Sequence, residues 1–224
     1  NQNVRSGAET IMALVKYNDR SLRNLTTIPA AAGGGDTGAL VHIKTLTASN
    51  DSTLAFIHGT NDVVLDNTYP IYIVKIINLF SHTDDRAVLL NFTIDGTNFN
   101  VTKTTTFFRA RHNESDSVAG LDYRTRADLA QSTSGQEFVE GFDGEADANV
   151  NSTIFLYNPS STTFVKHFTM DTQGTGNGGT NAQTSTNAFV GGYCNTTSAV
   201  TGFRVEGSST TISGTFQLYG IKDA

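Results

Sequence analysis

The stretch "SGTFQLYGIKDA", residues 213–224, decides the fold class. Two sets of side chains alternate along it: Thr215, Gln217 and Tyr219 on one side, and Phe216, Leu218 and Gly220 on the other. A period of two is typical of a half-buried β-strand. Terminal segments stay loose unless something holds them, so we expect this strand to lie within a sheet and to complete the fold.

Strand signals recur along most of the preceding chain. Including residues 211–220 there are ten such segments, the other nine being 40–47, 52–59, 69–80, 87–94, 99–110, 151–158, 162–170, 187–195 and 200–207. The long apolar run 69–80 suits a central strand that is buried on both faces. "DGTN" at 95–98 predicts a hairpin between its flanking strands. No segment indicates an amphipathic helix, and "YRTRADLAQ" at 123–131 predicts a turn or two.

This spacing predicts an all-β fold, a jelly-roll-like antiparallel β-sandwich of about ten strands with an N-terminal arm. Residues 1–38 end in "PAAAGGGDTG", which is too rich in glycine for a regular element, so we interpret them as an arm and hinge. Residues 39–224 form the predicted sandwich domain. Residues 170–187 have almost no apolar side chains and are predicted to form a long exposed loop.

Composition excludes several function classes. The formal net charge is −6 and the sequence pI is about 5.2. Phosphate contacts need clustered Lys and Arg, so we expect no nucleic-acid partner. The locally basic stretches are "RARH" at 109–112 and "RTR" at 124–126. No run of eighteen apolar residues is present, so no membrane-spanning helix is predicted. Cys194 is the single cysteine, so no internal disulfide can form.

A calcium site is the best metal candidate. In "DGEADAN" four oxygen-bearing side chains stand at every second position: Asp143, Glu145, Asp147 and Asn149. Calcium takes six to eight oxygen ligands from such loops. Ala148 occupies the position where a calcium loop requires glycine, and no glutamate closes the loop, so a solvated acidic turn is the competing interpretation. No other cofactor is predicted.

Two clusters pair a histidine with carboxylates, which is a combination that suits general acid–base chemistry. One contains Arg109, Arg111, His112, Glu114 and Asp116, and the other contains His82, Asp84 and Asp85. Charged residues that follow a strand more often form a polar loop, and we expect that here. No nucleophile elbow, zinc-protease helix, phosphate loop or dinucleotide fingerprint is present.

Seven segments resemble a family of small virion structural proteins of marine tailed bacteriophages. They are "MALVKYNDRSLRNLT", "GALVHIKTLTAS", "NFNVTKTTTFFRARHNESD", "LAQST", "FLYNPSSTTFVKHF", "FVGGYCNTTSAVTGFRV" and "ISGTFQLYGIK". The resemblance runs from about Met12 to Lys222, and "NPSSTTFVKHF" and "LYGIK" are its most specific blocks. It implies a β-sandwich component of the virion, present in many copies and without enzymatic chemistry.

The function expected from this resemblance is either head decoration that stabilises the capsid or a part of the tail or fibre. Expected partners are further copies of the chain, with a trimer favoured, and the major capsid or tail protein. In a tail part, the loops at 81–86, 109–120 and 170–187 would contact a host surface glycan or protein.

Two other classes remain open. One is a receptor- or carbohydrate-binding lectin-like module, in which Tyr123 and Tyr193 would stack on sugars because no tryptophan is present. The other is a glycoside hydrolase, which needs two carboxylates at one cleft, with Glu114, Glu137 and Glu140 as the acids.

Seven N-x-S/T sequons occur, at Asn24, Asn50, Asn91, Asn100, Asn113, Asn151 and Asn195, and are as compatible with chance as with glycosylation.

Overall fold

The structure is a computed structural model that describes residues 39–142, 147–176 and 183–222. The predicted arm and hinge, residues 1–38, lie outside these described residues. The described residues form twelve β-strands and no helix. The strands are β1 (Leu40–Asp51), β2 (Thr53–Ile57), β3 (Ile71–Ser81), β4 (Arg86–Thr93), β5 (Lys103–Asn113), β6 (Ala119–Tyr123), β7 (Gln136–Phe142), β8 (Val150–Tyr157), β9 (Lys166–Gly176), β10 (Thr184–Cys194), β11 (Gly202–Gly207) and β12 (Ile212–Ile221).

The strands form two antiparallel sheets. The eight-stranded sheet has the order β1-β12-β3-β8-β9-β10-β5-β6, and the four-stranded sheet has the order β2-β11-β4-β7. Side chains from both sheets share one apolar core, in which the rings of Phe92 on β4 and Phe168 on β9 lie 5.0 Å apart. The fold is therefore all-β and sandwich-like, and the prediction of an all-β chain is confirmed.

Strand β12 confirms the interpretation of the C-terminal stretch. It pairs with β1 on one side and β3 on the other. Phe216, Leu218 and Gly220 are buried, whereas the residues between them are half-buried. Burial of one face accounts for the alternation in the sequence, because successive side chains of a strand point to opposite faces.

Three details of the sequence prediction are wrong. The chain has strands β6 and β7 in addition to the ten expected. β4 and β5 do not form a hairpin, because β4 pairs with β11 and β7 whereas β5 pairs with β10 and β6. Residues 170–176 and 184–187 are not loop but the paired ends of β9 and β10. Their exposed face is polar and their inner face carries small side chains such as Thr172, so they need no large apolar residues.

None of the described residues belongs to a helix, so no apolar helix long enough to cross a membrane is found among them.

Candidate functional site

A charged cleft brings together the two locally basic stretches of the sequence. Arg109 and Arg111 lie on β5, while Arg124 and Arg126 lie in the turn after β6. The cleft has a volume of about 240 Å³. It is lined by Asp85, Arg109, Arg111, Arg124, Arg126, Glu140, Gly141, Gly176, Thr184 and Thr186. These residues include members of all three segments that the sequence assigned to partner contacts.

Strand alternation and a tight turn aim these arginines into the cleft. On β5 the side chains at odd positions point inward, so Arg109 is buried whereas the neighbouring Phe108 is exposed. After β6, the backbone N–H groups of Ala127 and Asp128 both donate to the carbonyl of Arg124, at 3.0 and 3.1 Å. This turn is the local structure that the sequence predicted for residues 123–131.

Glu140 is the acceptor at the centre of the cleft. Its side chain is only 6% exposed. Its Oε2 accepts hydrogen bonds from Arg109 Nη1 at 2.6 Å and from Arg124 Nε at 2.9 Å. Its Oε1 accepts one from Arg126 Nε at 2.8 Å and contacts Arg124 Nη2 as well. Three guanidinium groups therefore surround one carboxylate.

A β-bulge places Glu137 beside the same cluster. Residues three apart on a regular strand point to opposite faces. Here Val139 pairs with Val88 and Glu137 pairs with Leu89, so Phe138 is an extra residue without a partner. Phe138 and Val139 are both buried as a result, and Glu137 and Glu140 point to the same side. Arg126 Nη1 reaches Glu137 Oε1 at 3.4 Å. Bulges commonly re-aim side chains in this way.

The two glutamates have pKa values that are shifted in opposite directions. For Glu137, burial raises the pKa, and the neighbouring charge of Glu140 raises it further. Its Oε2 is buried and has no hydrogen-bond partner among the described residues. For Glu140, burial by itself would raise the pKa, but the bonds from Arg124 and Arg126 and the charge of Arg109 lower it overall. Glu140 is thus held as a carboxylate, and Glu137 gives up its proton less readily than a free glutamate.

The cleft is suited to binding an anionic group. Both oxygens of Glu140 already accept hydrogen bonds from arginines, and an attack by this carboxylate on a substrate would have to break those bonds. Arg126 has 56% of its side chain exposed, and the closest carboxylate oxygen to Arg111 is that of Asp122, at 3.7 Å. Arg126 uses three of its five N–H donors on Glu137 and Glu140, so both guanidinium groups retain donors for a bound anion. Arginine forks match carboxylate, sulfate and phosphate groups.

Asp122 completes the network and was not singled out by the sequence analysis. It stands opposite Arg109 in the β5–β6 pairing. Its Oδ1 lies 3.3 Å from Arg109 Nε, and its Oδ2 lies 3.4 Å from Arg124 Nη1. The one signal in the sequence that pointed to such a partner was the pair of basic stretches at 109–112 and 124–126. Four arginines in an acidic chain need carboxylate partners.

The histidines of the two sequence clusters do not line the cleft, although Asp85, Arg109 and Arg111 from these clusters do. His112 is exposed and lies 3.0 Å from Asp116, and Glu114 is exposed nearby. His82 Nε2 lies 2.8 Å from Ser213 Oγ. Arg109 and Arg111 share a sequence cluster with His112 but point to the opposite face of β5. Of the three proposed acids, Glu137 and Glu140 come together and Glu114 stays apart.

The two tyrosines proposed for sugar stacking share the outer face of the eight-stranded sheet without touching. Tyr123 pairs with Phe108, and Tyr193 pairs with Thr104. These positions are four residues apart along β5, or roughly 13 Å at 3.3 Å per residue. Tyr123 Oη donates to Asp128 Oδ2 at 2.7 Å.

The calcium candidate lies partly outside the described residues. Asp143 and Glu145 are not among them, whereas Asp147 is exposed and Asn149 is half-buried. Asn149 Oδ1 accepts a hydrogen bond from Asn151 Nδ2 at 3.2 Å. Within residues 39–142, 147–176 and 183–222, no three His, Cys, Asp or Glu residues are grouped so that they could hold a metal ion. Calcium binding at this turn stays a prediction.

Comparison of the chain with protein-family models, with curated proteins and with solved structures finds no match.

Proposed function

We propose that this chain is a non-enzymatic structural protein of a bacteriophage virion, built on a jelly-roll-like sandwich. It acts either as a head decoration that stabilises the capsid or as a component of the tail or fibre. The resemblance of the seven sequence segments supports the virion assignment. The strand order is the structural observation that carries the proposal, and an exposed apolar patch supports its assembly.

The strand order fits a jelly roll that carries two inserted hairpins. Setting aside β5, β6, β9 and β10 leaves eight of the twelve strands, in the orders β1-β12-β3-β8 and β2-β11-β4-β7. In each sheet the earliest strand lies beside a late one: β1 beside β12, and β2 beside β11. A jelly roll has this arrangement of early strands beside late ones. Its chain first folds back on itself as one long antiparallel pair, and this pair is then rolled up. Jelly rolls of eight strands occur in viral capsid and lectin domains.

An apolar patch on the outer face of the eight-stranded sheet supports assembly with other subunits. Phe108, Leu121 and Tyr123 are 41%, 73% and 51% exposed. Phe189 packs on Phe108, with their ring centres 5.3 Å apart. We call these four residues the β5–β6 patch. The patch lies at the sheet edge formed by β6, and exposed apolar edges mark interaction sites. A homo-oligomer, with a trimer favoured, and contact with the capsid or tail protein follow as proposals.

A carbohydrate-binding module is the second candidate, and the charged cleft is the observation that favours it. Arg111 and Arg126 offer guanidinium donors at its opening, so the sugar would be an anionic host surface glycan. The same jelly-roll class includes lectins, and fold alone does not choose between the two functions. Binding of the isolated protein to acidic glycans on an array, lost in R111A, would support this candidate.

The number of copies per particle tests the proposal. Quantitative mass spectrometry of purified phage particles would compare this protein with the major shell protein. A ratio near one indicates a decorating protein of the head, and a ratio far below one indicates a tail or fibre part. Absence from the particles would overturn the virion proposal.

A further inference from the structure

A buried lysine and a buried asparagine side chain meet beside β4, on the face of that strand opposite the core residues Leu90 and Phe92. Lys103 at the start of β5 is 0% exposed, and Asn91 on β4 is 4% exposed. Lys103 Nζ donates to Asn91 Oδ1 at 2.9 Å. A C=O bond is about 1.23 Å long, so Nζ lies at most about 4.1 Å from the amide carbon of Asn91. The amine is thus close to the distance from which it could attack that carbon.

Glu206 holds the other side of the same amide. It lies on β11, the neighbour of β4, and its Oε1 accepts a hydrogen bond from Asn91 Nδ2 at 2.9 Å. Its Oε2 is held by Arg204 Nη2 at 2.7 Å. The lysine is a donor only and the glutamate an acceptor, so their positions fix which end of the amide is oxygen and which is nitrogen. The carbonyl faces the amine, and the nitrogen that would leave faces the acid.

The surroundings of Lys103 favour a neutral amine. Its second contact is the carbonyl of Val101 at 2.9 Å, and it makes no ion pair within the part of the chain that the structure describes. Burial lowers its pKa to about 8, and the coulombic interactions with Cys194 and then Glu206 only partly offset this effect. The neutral form of a lysine is the nucleophile. An ordinary surface lysine, with a pKa near 10.4, has far less of this form near neutral pH.

We propose that Lys103 and Asn91 join through an intramolecular isopeptide bond, with Glu206 transferring the proton. The amine nitrogen of Lys103 attacks Cγ of Asn91, and the bond between Cγ and Nδ2 breaks. One proton passes from the lysine nitrogen to the leaving nitrogen by way of Glu206, and ammonia departs. The product is a secondary amide between the two side chains. Atoms and charges balance without any oxidant, metal or co-reactant.

The bond would tie the two sheets together. Asn91 belongs to the four-stranded sheet and Lys103 to the eight-stranded sheet. A covalent link between them restricts how far the sheets can separate when the chain unfolds, as a disulfide would. The single cysteine of this chain leaves it without that alternative.

Lys166 provides an internal control. It is also 0% exposed, on β9. Its Nζ donates to the backbone carbonyls of Phe164 and Thr196, at 3.0 and 3.2 Å, and to no side-chain amide. Burial lowers its pKa as well. A reaction that needs only a buried amine would involve both lysines, whereas the proposed reaction involves Lys103 alone.

Mass spectrometry of the intact wild-type chain tests the bond directly. We expect the folded protein, incubated near pH 8, to weigh less than its sequence by one molecule of ammonia. Trypsin should fail to cut after Lys103 and should release a branched peptide that joins Asn91 to Lys103. Recovery of both residues in separate linear peptides from protein of unreduced mass would overturn the proposal. This measurement does not depend on any variant folding.

Three variants separate the proposed bond from other losses of ammonia. K103M should keep the full mass, and K166M should lose ammonia as the wild type does. Persistence of the loss in K103M would place it elsewhere, for example at the Asn177–Gly178 step, and would overturn the proposal. E206Q keeps an acceptor for Asn91 but removes the acid–base group, so the bond should form about a hundredfold more slowly. An unchanged rate in E206Q would overturn the role of Glu206.

Discussion

Glu140 balances the charge of the arginines in the cleft. The carboxylate is nearly inaccessible to water and accepts hydrogen bonds from Arg109, Arg124 and Arg126. Burying a charge is costly, and removing one partner of such a group leaves the others buried and uncompensated. Glu137 is in the opposite position, because one of its oxygens is buried with no partner among the described residues. The two neighbours therefore form a matched pair for mutation.

We expect E140Q to lower the free energy of unfolding by about 3 kcal/mol at neutral pH, because it leaves the guanidinium groups without their carboxylate. E137Q should change it by less than about 1 kcal/mol or increase it, because it removes a poorly satisfied buried charge. Urea unfolding of both variants beside the wild type measures the difference. Equal effects of the two substitutions would contradict this account of the cleft.

The pH dependence of the same variants gives an independent control. The pKa of Glu140 is lowered in the folded state, so its stabilisation is present above the ordinary value of 4.5 and is lost as the pH falls through the folded value. The difference between wild type and E140Q should therefore shrink at strongly acidic pH. The pKa of Glu137 is raised, so its pH dependence runs the other way: its contribution is fully present below the ordinary value and is lost as the pH rises through its folded value.

At the scale of elements, the sequence predicted strands wherever a buried face left an apolar pattern. Each of the ten predicted segments overlaps a different one of the observed strands. β6, with the sequence "AGLDY", was missed because it is an edge strand of five mostly exposed residues. β7, with the sequence "QEFVEGF", was missed because its bulge interrupts the period of two on which the prediction depends.

Pairing between strands could be predicted less well than the strands themselves. The turn at 95–98 is present, since Asp95 Oδ1 accepts hydrogen bonds from the backbone N–H groups of Thr97 and Asn98. The chain that leaves it crosses to the other sheet, and nothing local in the sequence decides which sheet a strand joins. The ends of β9 and β10 were mistaken for loop because threonine and glycine can line a packed face without looking hydrophobic.

The candidate site was predictable only in its parts. The sequence showed "RARH", "RTR" and the acids Glu137 and Glu140 as separate features. Their meeting depends on the pairing of β5 with β6, on the turn after β6 and on the bulge of β7. These are tertiary and irregular features, and a periodic pattern does not encode them. The contact of Lys103 with Asn91 had no sequence signal, because the strands that carry the two residues lie in different sheets.

The β5–β6 patch yields a prediction about association. L121K places a charge on the most exposed apolar side chain of the patch, so it should weaken self-association about tenfold or more while leaving the fold intact. F164K is the matched control, because Phe164 is similarly exposed, at 69%, but lies outside the patch. Sedimentation velocity over a range of concentrations measures both variants. Equal weakening by the two, or none by L121K, would argue against the patch as the contact between copies.

At the scale of the whole molecule, the apolar patch proposed for association and the charged cleft proposed for anion binding lie on different faces of the sandwich. The β5–β6 patch lies on the outer face of the eight-stranded sheet, whereas Arg109 and Arg111 of the cleft point to the inner face of β5. A subunit that associates through the patch would therefore keep the cleft on another side. The proposed assembly through the β5–β6 patch therefore leaves the cleft of the same subunit open for the proposed binding of an anionic group.

Particles that lack this protein distinguish the two proposed locations. If it decorates the head, such particles should lose their DNA at a lower temperature than wild-type particles and should adsorb to cells normally, because only the support of the shell is missing. If it belongs to the tail or fibre, adsorption should fall while the heat resistance of the head stays unchanged. DNA release on heating and the rate of adsorption measure the two effects.

Supplying wild-type protein should restore the lost property, and supplying L121K should restore it less well, since subunits with a charged patch would associate weakly. Particles that lack the protein and match the wild type in both measurements would count against either role.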